Sequence, residues 1–221
     1  MIAVAIDGPA GAGKSFVAKT VAKQLGYIYV DTGAMYRTIG LACDRAGILA
    51  DDAEKIAELL KGINISIKYF DDEQHILLGG EDVSELIRTE RVSMLASRVS
   101  ALPVVRAYLL ELQRSFAKNN NVIMDGRDIG TVVLPDADVK IFLTASAKAR
   151  AKRRVFQLAE KGEKADLNTV LADIEKRDYN DSHRKIAPLR AAEDAVIIDT
   201  SDIDRDESVN RVINTIKKGI I

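Results

Sequence analysis

The sequence predicts an α/β protein built on a mostly parallel, five-stranded sheet with helices on both faces. Short apolar runs alternate with longer helical patterns, and the connections between them are short. The candidate strands are Ile2–Asp7, Tyr27–Val30, Val122–Asp125, Lys140–Thr144 and Ala195–Asp199. The first of them enters a glycine-rich turn, Gly8-Pro-Ala-Gly11-Ala-Gly13-Lys14-Ser15, that fits G-x-x-x-x-G-K-[ST]. Strand, glycine turn and helix in that order specify a three-layer P-loop NTPase fold.

Each part of the turn has a physical task. The glycines let backbone N–H groups face a polyphosphate where a side chain would block the approach. The helix opening near Gly13 aims unpaired N–H groups and its positive dipole end at the same anion. Lys14 reaches the terminal phosphates, and the Ser15 hydroxyl is a ligand for Mg²⁺. A dinucleotide fingerprint read from Gly11 fails, because Phe16 stands where the third glycine belongs.

The helices follow from period and punctuation. Lys14–Leu25 repeats Val17, Val21 and Leu25 every fourth residue, and Gly26 stops it. Leu102 to Lys118 presents Val105, Leu109, Leu112 and Phe116, with Pro103 in the first turn. One region breaks the rhythm: Ile63 to Tyr69 alternates with period two, Asp71-Asp72 offers a turn, and Gln74–Leu78 returns. Gly79-Gly80 and Glu81–Ile87 follow before a helix near Thr89. This antiparallel excursion is either a cover for the site mouth or a passive insertion.

Composition narrows the function classes. The 221 residues are 47% hydrophobic and 29% charged, with a net charge of −1. That balance points to no nucleic-acid or membrane-surface partner. The lone cysteine, Cys43, excludes an intramolecular disulfide and lies in a helical pattern as a small apolar residue. One Cys and two His leave no credible zinc site. The apolar start lacks a basic flank, and no run approaches the ~20 apolar residues that span a bilayer. The expectation is a soluble, cytoplasmic protein, with nothing that demands more than a monomer.

Three Arg/Asp sets surround the expected phosphate site. Asp31-Thr32-Gly-Ala-Met-Tyr-Arg37 follows the second strand and offers a hydroxyl and a guanidinium. Asp125-Gly-Arg127-Asp128-Ile-Gly-Thr131 ends the third. Arg177, Asp181 and Arg184 fall at i, i+4 and i+7, on one face of a helix. Arginine suits bidentate phosphate recognition in a way lysine does not. The helix from Ser146 carries five basic residues in seven positions: Lys148, Arg150, Lys152, Arg153 and Arg154. Without interleaved aromatics it reads better as a flap laying arginines over transferring phosphates than as a nucleic-acid patch.

Neither His75 nor His183 stands in the pattern of a general base. An alcohol acceptor would want such a base. A phosphate monoester, with a second pKa of about 6, is already ionised at neutral pH. The residues therefore favour a phosphate acceptor, and catalysis by charge neutralisation and in-line positioning.

These motifs bring the chain close to a known family. Along its whole length it resembles the bacterial cytidylate kinases, in Ile6–Ser15, Asp31–Arg37, Gly80-Glu-Asp-Val-Ser84, Asp125–Val133 and Arg177-Asp-Tyr-Asn-Asp181. The resemblance implies transfer of the γ-phosphoryl of ATP to CMP or dCMP with Mg²⁺. It implies one domain over 1–221, with a nucleoside-monophosphate-binding insertion at about 62–100 and a short helical lid at about 148–165. Gly8, Pro9, Ala10, Gly11, Ala12, Gly13, Lys14, Ser15 and Phe16 would hold the donor phosphates, and Ser15 the metal. Lys14, Arg127, Arg150 and Arg154 would serve catalysis. Arg37, Arg127 and Arg184 would hold the acceptor phosphate, beside Thr32. Ser97, Arg106 and Asp128 would read cytosine, and Arg177 with Asp181 would contact the ribose. Phe16 departs from the family pattern, where a threonine is common.

Two rivals remain at this stage. Another small-molecule P-loop kinase would share the loop but take a different acceptor. A nucleotide switch of the GTPase kind would carry N/T-K-x-D, and the sequence has none.

Overall fold

The computed structural model describes residues 1–70, 73–160 and 162–220. The expected Asp71-Asp72 turn lies outside the described residues, as does Lys161 within the expected lid. In chain order the elements are β1 (Ala3–Asp7), α1 (Lys14–Leu25), β2 (Ile28–Asp31), α2 (Thr32–Arg45), α3 (Ala53–Gly62), β3 (Ile65–Phe70), β4 (Glu73–Leu78), β5 (Glu81–Asp82), α4 (Glu90–Val99) and α5 (Pro103–Asn119). Then come β6 (Val122–Gly126), β7 (Val139–Thr144), α6 (Ala147–Glu160), α7 (Leu167–His183), β8 (Val196–Asp199) and α8 (Arg205–Gly219). A π-helix, Ile129–Val133, follows β6. All five expected sheet strands are present, each displaced by no more than a residue or so at its ends.

The chain forms two compact units. The first comprises residues 1–29 and 120–221, the second residues 30–119. In the first, the sheet has the order β2-β6-β1-β7-β8. Parallel pairings join β6, β1, β7 and β8. Val4, Ala5 and Ile6 are all fully buried, so side chains on both faces of the central strand are covered. That is the burial of a parallel sheet sandwiched between helices. On one face α1 and α8 close the core, as Val17 and Val21 join Val209, Val212 and Ile216 against Val4, Ile6, Ile141 and Leu143.

The second unit pairs helices with a three-stranded antiparallel sheet, β3-β4-β5. Its helices start where short polar side chains accept an end amide, Asp31 from Ala34 N at 2.9 Å and Thr89 from Val92 N at 3.3 Å. Helices α2 and α4 approach closely at Gly40, where a Cβ would stand 3.1 Å from Ala96 N. Arg45 holds the sheet to α2 through both oxygens of Glu81, at 2.6 and 2.9 Å. Cys43 is buried in α2, as its pattern predicts.

Among the described residues no helix is long and apolar enough to cross a membrane. One expectation needs correction. Arg184 does not share a helical face with Arg177 and Asp181, because α7 ends at His183 and Arg184 has extended backbone, φ −64° and ψ 144°.

Candidate active site

The phosphate loop of the first unit is tied through its carbonyls. Lys14 Nζ donates to Pro9 O at 2.8 Å. Arg150 Nη1 donates to Ala10 O at 3.0 Å, and Thr200 Oγ1 lies 3.3 Å from Ala12 O. In a planar trans peptide the carbonyl and the following N–H point in opposite directions. Each held carbonyl therefore fixes the plane of the peptide that carries the amide of Ala10, Gly11 or Gly13. The loop runs into α1, whose N-cap, Gly13, has φ 90° and supplies no side chain to its end amides. The result is a concave set of donors suited to an anion.

Gly8 is needed for space. A Cβ there would fall 1.9 Å from Leu143 O, inside the neighbouring strand's backbone, and φ is 149°.

A charged cluster adjoins the loop. Lys14 is buried, and desolvation, followed by the nearby Arg127 guanidinium, pulls its ammonium down to about 7. Ser15 Oγ donates to Asp125 Oδ2 at 2.8 Å, while the Tyr29 hydroxyl reaches Asp125 Oδ1 at 3.2 Å. Asp7 is buried too, and desolvation raises its carboxyl to about 6 despite two backbone amides that stabilise the anion.

The second and third arginine sets meet in this unit. Arg127 Nε lies 3.0 Å from Asp181 Oδ2, and Arg127 Nη1 donates to Gly126 O at 3.2 Å. Arg184 Nη2 lies 3.5 Å from Asp128 Oδ1, and both side chains are nearly buried. Its Nε also holds the carbonyl of Ala187, a residue with a φ of 48°. Arg177 is half-buried on α7.

The basic helix α6 divides its arginines between inside and outside. Arg150 is 4% exposed, with Nε on Ala145 O at 2.8 Å and its Nη atoms on Ala10 O and both carboxylate oxygens of Asp178. Arg153 donates to the hydroxyl and carbonyl of Thr200. Arg154, Lys148 and Lys152 are exposed. Phe16 is 44% exposed just past the loop, with the Arg205 guanidinium 5.0 Å from its ring centre.

The remaining candidates belong to the second unit. Thr32 is buried at the start of α2, and Arg37 pairs with the capping residue Asp31 at 2.8 Å. Asp31 N in turn donates to Gln74 Oε1 at 2.8 Å. Arg106 is 8% exposed, donates to Ser100 O at 3.1 Å and lies 5.6 Å over the Tyr36 ring. Ser97 is half-buried on α4, its carbonyl accepting from Ser100 Oγ at 3.0 Å.

Each histidine has its partners within its own unit. His75 Nδ1 pairs with Asp82 at 2.7 Å in the second unit, and His183 stacks on Tyr179, ring centres 4.0 Å apart, at the end of α7.

Asp7, Asp178 and Thr200 occupy the loop's surroundings without having been singled out in the sequence. Asp7 carried a local signal, an acid closing an otherwise apolar strand. Thr200 carried none, since its partner Ala12 lies 188 positions away.

The sequence profile of cytidylate kinases matches residues 4–218. The chain belongs to the cytidylate kinase family. Curated cytidylate kinases of Caldicellulosiruptor saccharolyticus, Lactobacillus johnsonii and Geobacter sp. (strain M21) are 52%, 50% and 48% identical to it. The matches cover 99%, 99% and 98% of this chain, and 97%, 95% and 93% of those proteins. Solved structures share the fold at much lower identity. An uncharacterized protein from Eubacterium ventriosum has a TM-score of 0.51 at 15% identity, covering 98% of this chain and 99% of its own. A shikimate kinase from Bacteroides thetaiotaomicron has 0.50 at 13%, covering 98% of each. Of the runs that resemble cytidylate kinases, the phosphate loop, Asp125–Val133 and Arg177–Asp181 lie in the first unit. Asp31–Arg37 and Gly80–Ser84 lie in the second.

Proposed function

We propose that this chain transfers the γ-phosphoryl group of ATP to CMP or dCMP by in-line displacement assisted by Mg²⁺, without a general base. Membership of the cytidylate kinase family supports the reaction. The observation that carries the mechanism is the pairing of Arg127 with Asp181 and of Arg184 with Asp128 in the unit that holds the P-loop, which engages both carboxylates with guanidiniums. An acceptor phosphate brings its own anionic oxygen, so the chain's task is to hold two anions together and neutralise them.

In this reading Gly8–Phe16 bind the donor phosphates through backbone amides, and Lys14 follows the terminal ones. Arg37, Arg127 and Arg184 hold the acceptor phosphate, with Thr32 beside it. Arg150 supports the loop from behind, and Arg154 is the exposed arginine able to meet the transferring group. Asp128 accepts the exocyclic amine of cytosine, which uracil replaces with an oxygen of like polarity. Ser97 and Arg106 complete the base reader, and Arg177 with Asp181 contacts the ribose. Residues 62–100 form the monophosphate-binding insertion and 148–165 the lid, in a cytoplasmic enzyme that works as a monomer.

The Ser15–Asp125 pair suits magnesium. Mg²⁺ keeps several waters and is bound by phosphates plus one or two protein oxygens, so a hydroxyl backed by one carboxylate is the right donor set. Ser15 would hold the ion with Asp125 behind it, and the ion would supply positive charge to offset that of the phosphates.

A panel of acceptors with ATP tests the proposal. CMP and dCMP should be phosphorylated with kcat/KM at least about 10²-fold above UMP, AMP, GMP or a metabolite alcohol. Preference for any other acceptor overturns it.

A further inference from the structure

Asp7 ends β1 and directly precedes Gly8 of the phosphate loop. Its carboxylate does not face the loop's amides. Oδ1 accepts from Ile129 N and Oδ2 from Gly130 N, each at 2.7 Å. Those are the first two amides of the π-helix that follows Asp128. Asp128 is the N-cap of that helix by position, but its own side chain makes no cap bond and its backbone is at φ −148° and ψ 27°. The cap is thus supplied from a different strand, 122 and 123 residues away. Parallel register places Asp7 beside Gly126 on β6, so Gly126, Arg127 and Asp128 span the gap to the capped amides.

The chemistry selects a carboxylate for this post. Two parallel N–H groups need two acceptor oxygens, and an asparagine would turn its NH₂ against one of them. Burying the Asp7 carboxylate is costly, and desolvation raises its protonation to about 6. Simple satisfaction of two amides could have used water or a neutral side chain at lower cost.

We infer that Asp7 is a positioning residue for the acceptor side of the reaction: its carboxylate locks the Arg127-Asp128 segment to the end of β1, next to the first residue of the phosphate loop. It touches no substrate and acts through the backbone of Ile129 and Gly130. The inference rests on the reading of Arg127 and Asp128 as acceptor-binding residues. It adds a reason why they stay in register with the donor loop.

Steady-state kinetics of Asp7→Asn in the full chain test this. The expected result is a KM for CMP raised about 10-fold, with the KM for ATP within about two-fold of the parent and an intact thermal transition. Unchanged KM values, or equal rises for CMP and ATP, overturn it, since general loosening would move both. An Asp128→Ala variant run alongside keeps the two readings separable. An unchanged CMP-to-UMP ratio there counts against the cytosine assignment alone, while the KM split in Asp7→Asn judges Asp7. Should Asp7→Asn fail to fold, a pH titration of the parent protein by NMR decides. The amide protons of Ile129, Gly130 and Asp128 should shift together with the Asp7 carboxyl carbon. An Asp128 amide that stays still while Asp7 titrates overturns the inference.

Discussion

Arg127 and Asp181 form an ion pair 3.0 Å long whose side chains are 22% and 11% exposed. The pair joins the loop after β6 to α7, and it fixes the direction in which the guanidinium points. Replacing Arg127 with lysine keeps the charge but loses the fork, and should lower kcat about 100-fold or more. Asp181→Asn keeps the shape, frees the arginine and should cost about ten-fold in kcat/KM for CMP. Initial rates at saturating ATP measure both, and parent-like activity of Arg127→Lys would remove Arg127 from the reaction.

Asp128 is the residue on which base choice should turn. Asp128→Ala removes the acceptor for the cytosine amine and should lower the CMP-over-UMP ratio of kcat/KM by about 10-fold or more. The ratio is the readout, because an overall loss of rate would show only damage. A constant ratio would reassign the base reader to Ser97 and Arg106.

Lys14 makes nucleotide binding a proton-linked event. Burial holds its ammonium down to about 7 in the free protein, below the usual 10.5. A bound polyphosphate favours the charged form, so the value rises on binding and protons are taken up between the two values. At pH 8 ATP binding should take up as much as about one proton, falling toward none near pH 6, where Lys14 is already charged. Calorimetry in buffers of different ionisation enthalpy counts those protons. Lys14→Ala should abolish the uptake and cripple phosphoryl transfer while the fold survives.

Two loop glycines should respond differently to alanine. Gly8→Ala drives a methyl into Leu143 O, at 1.9 Å, and the backbone has to move. A loss of roughly 3 kcal/mol or more is expected. Gly13 also has positive φ, 90°, but no atom lies within 4 Å of an added Cβ, so only the conformational penalty of about 1 kcal/mol remains. Urea unfolding of the two variants ranks them, and equal losses would contradict the packing argument.

The strand–loop–helix start was legible because its signals are local: an apolar run, three glycines, then valines at helical spacing. The hairpin of β3 and β4 was legible for the same reason, through strict alternation. Helix α8 went unread although its cues are present. Asp204 caps it, Glu207 follows three residues later, and Val209, Val212 and Ile216 form its buried stripe. The π-helix was hidden because Ile-Gly-Thr-Val-Val has the composition of a strand, and its start depends on Asp7 from another element. Arg184 was placed on the wrong element because i+7 spacing says nothing of where a helix stops. Arg150 was expected over the phosphates. Its burial against Ala10 and Asp178 depends on α7 folding back over α6, which no local pattern encodes.

The strand order has one consequence for how such a chain can change. Residues 30–119 form one unbroken stretch between the two segments of the first unit, and Ile28 N meets Asn121 O at 2.9 Å where the chain departs and returns. In chain order the second unit is therefore a single insertion in the first, entered within β2 and left just before β6. A change of length between β2 and β6 would leave the chain order of β1, β6, β7 and β8 as it is.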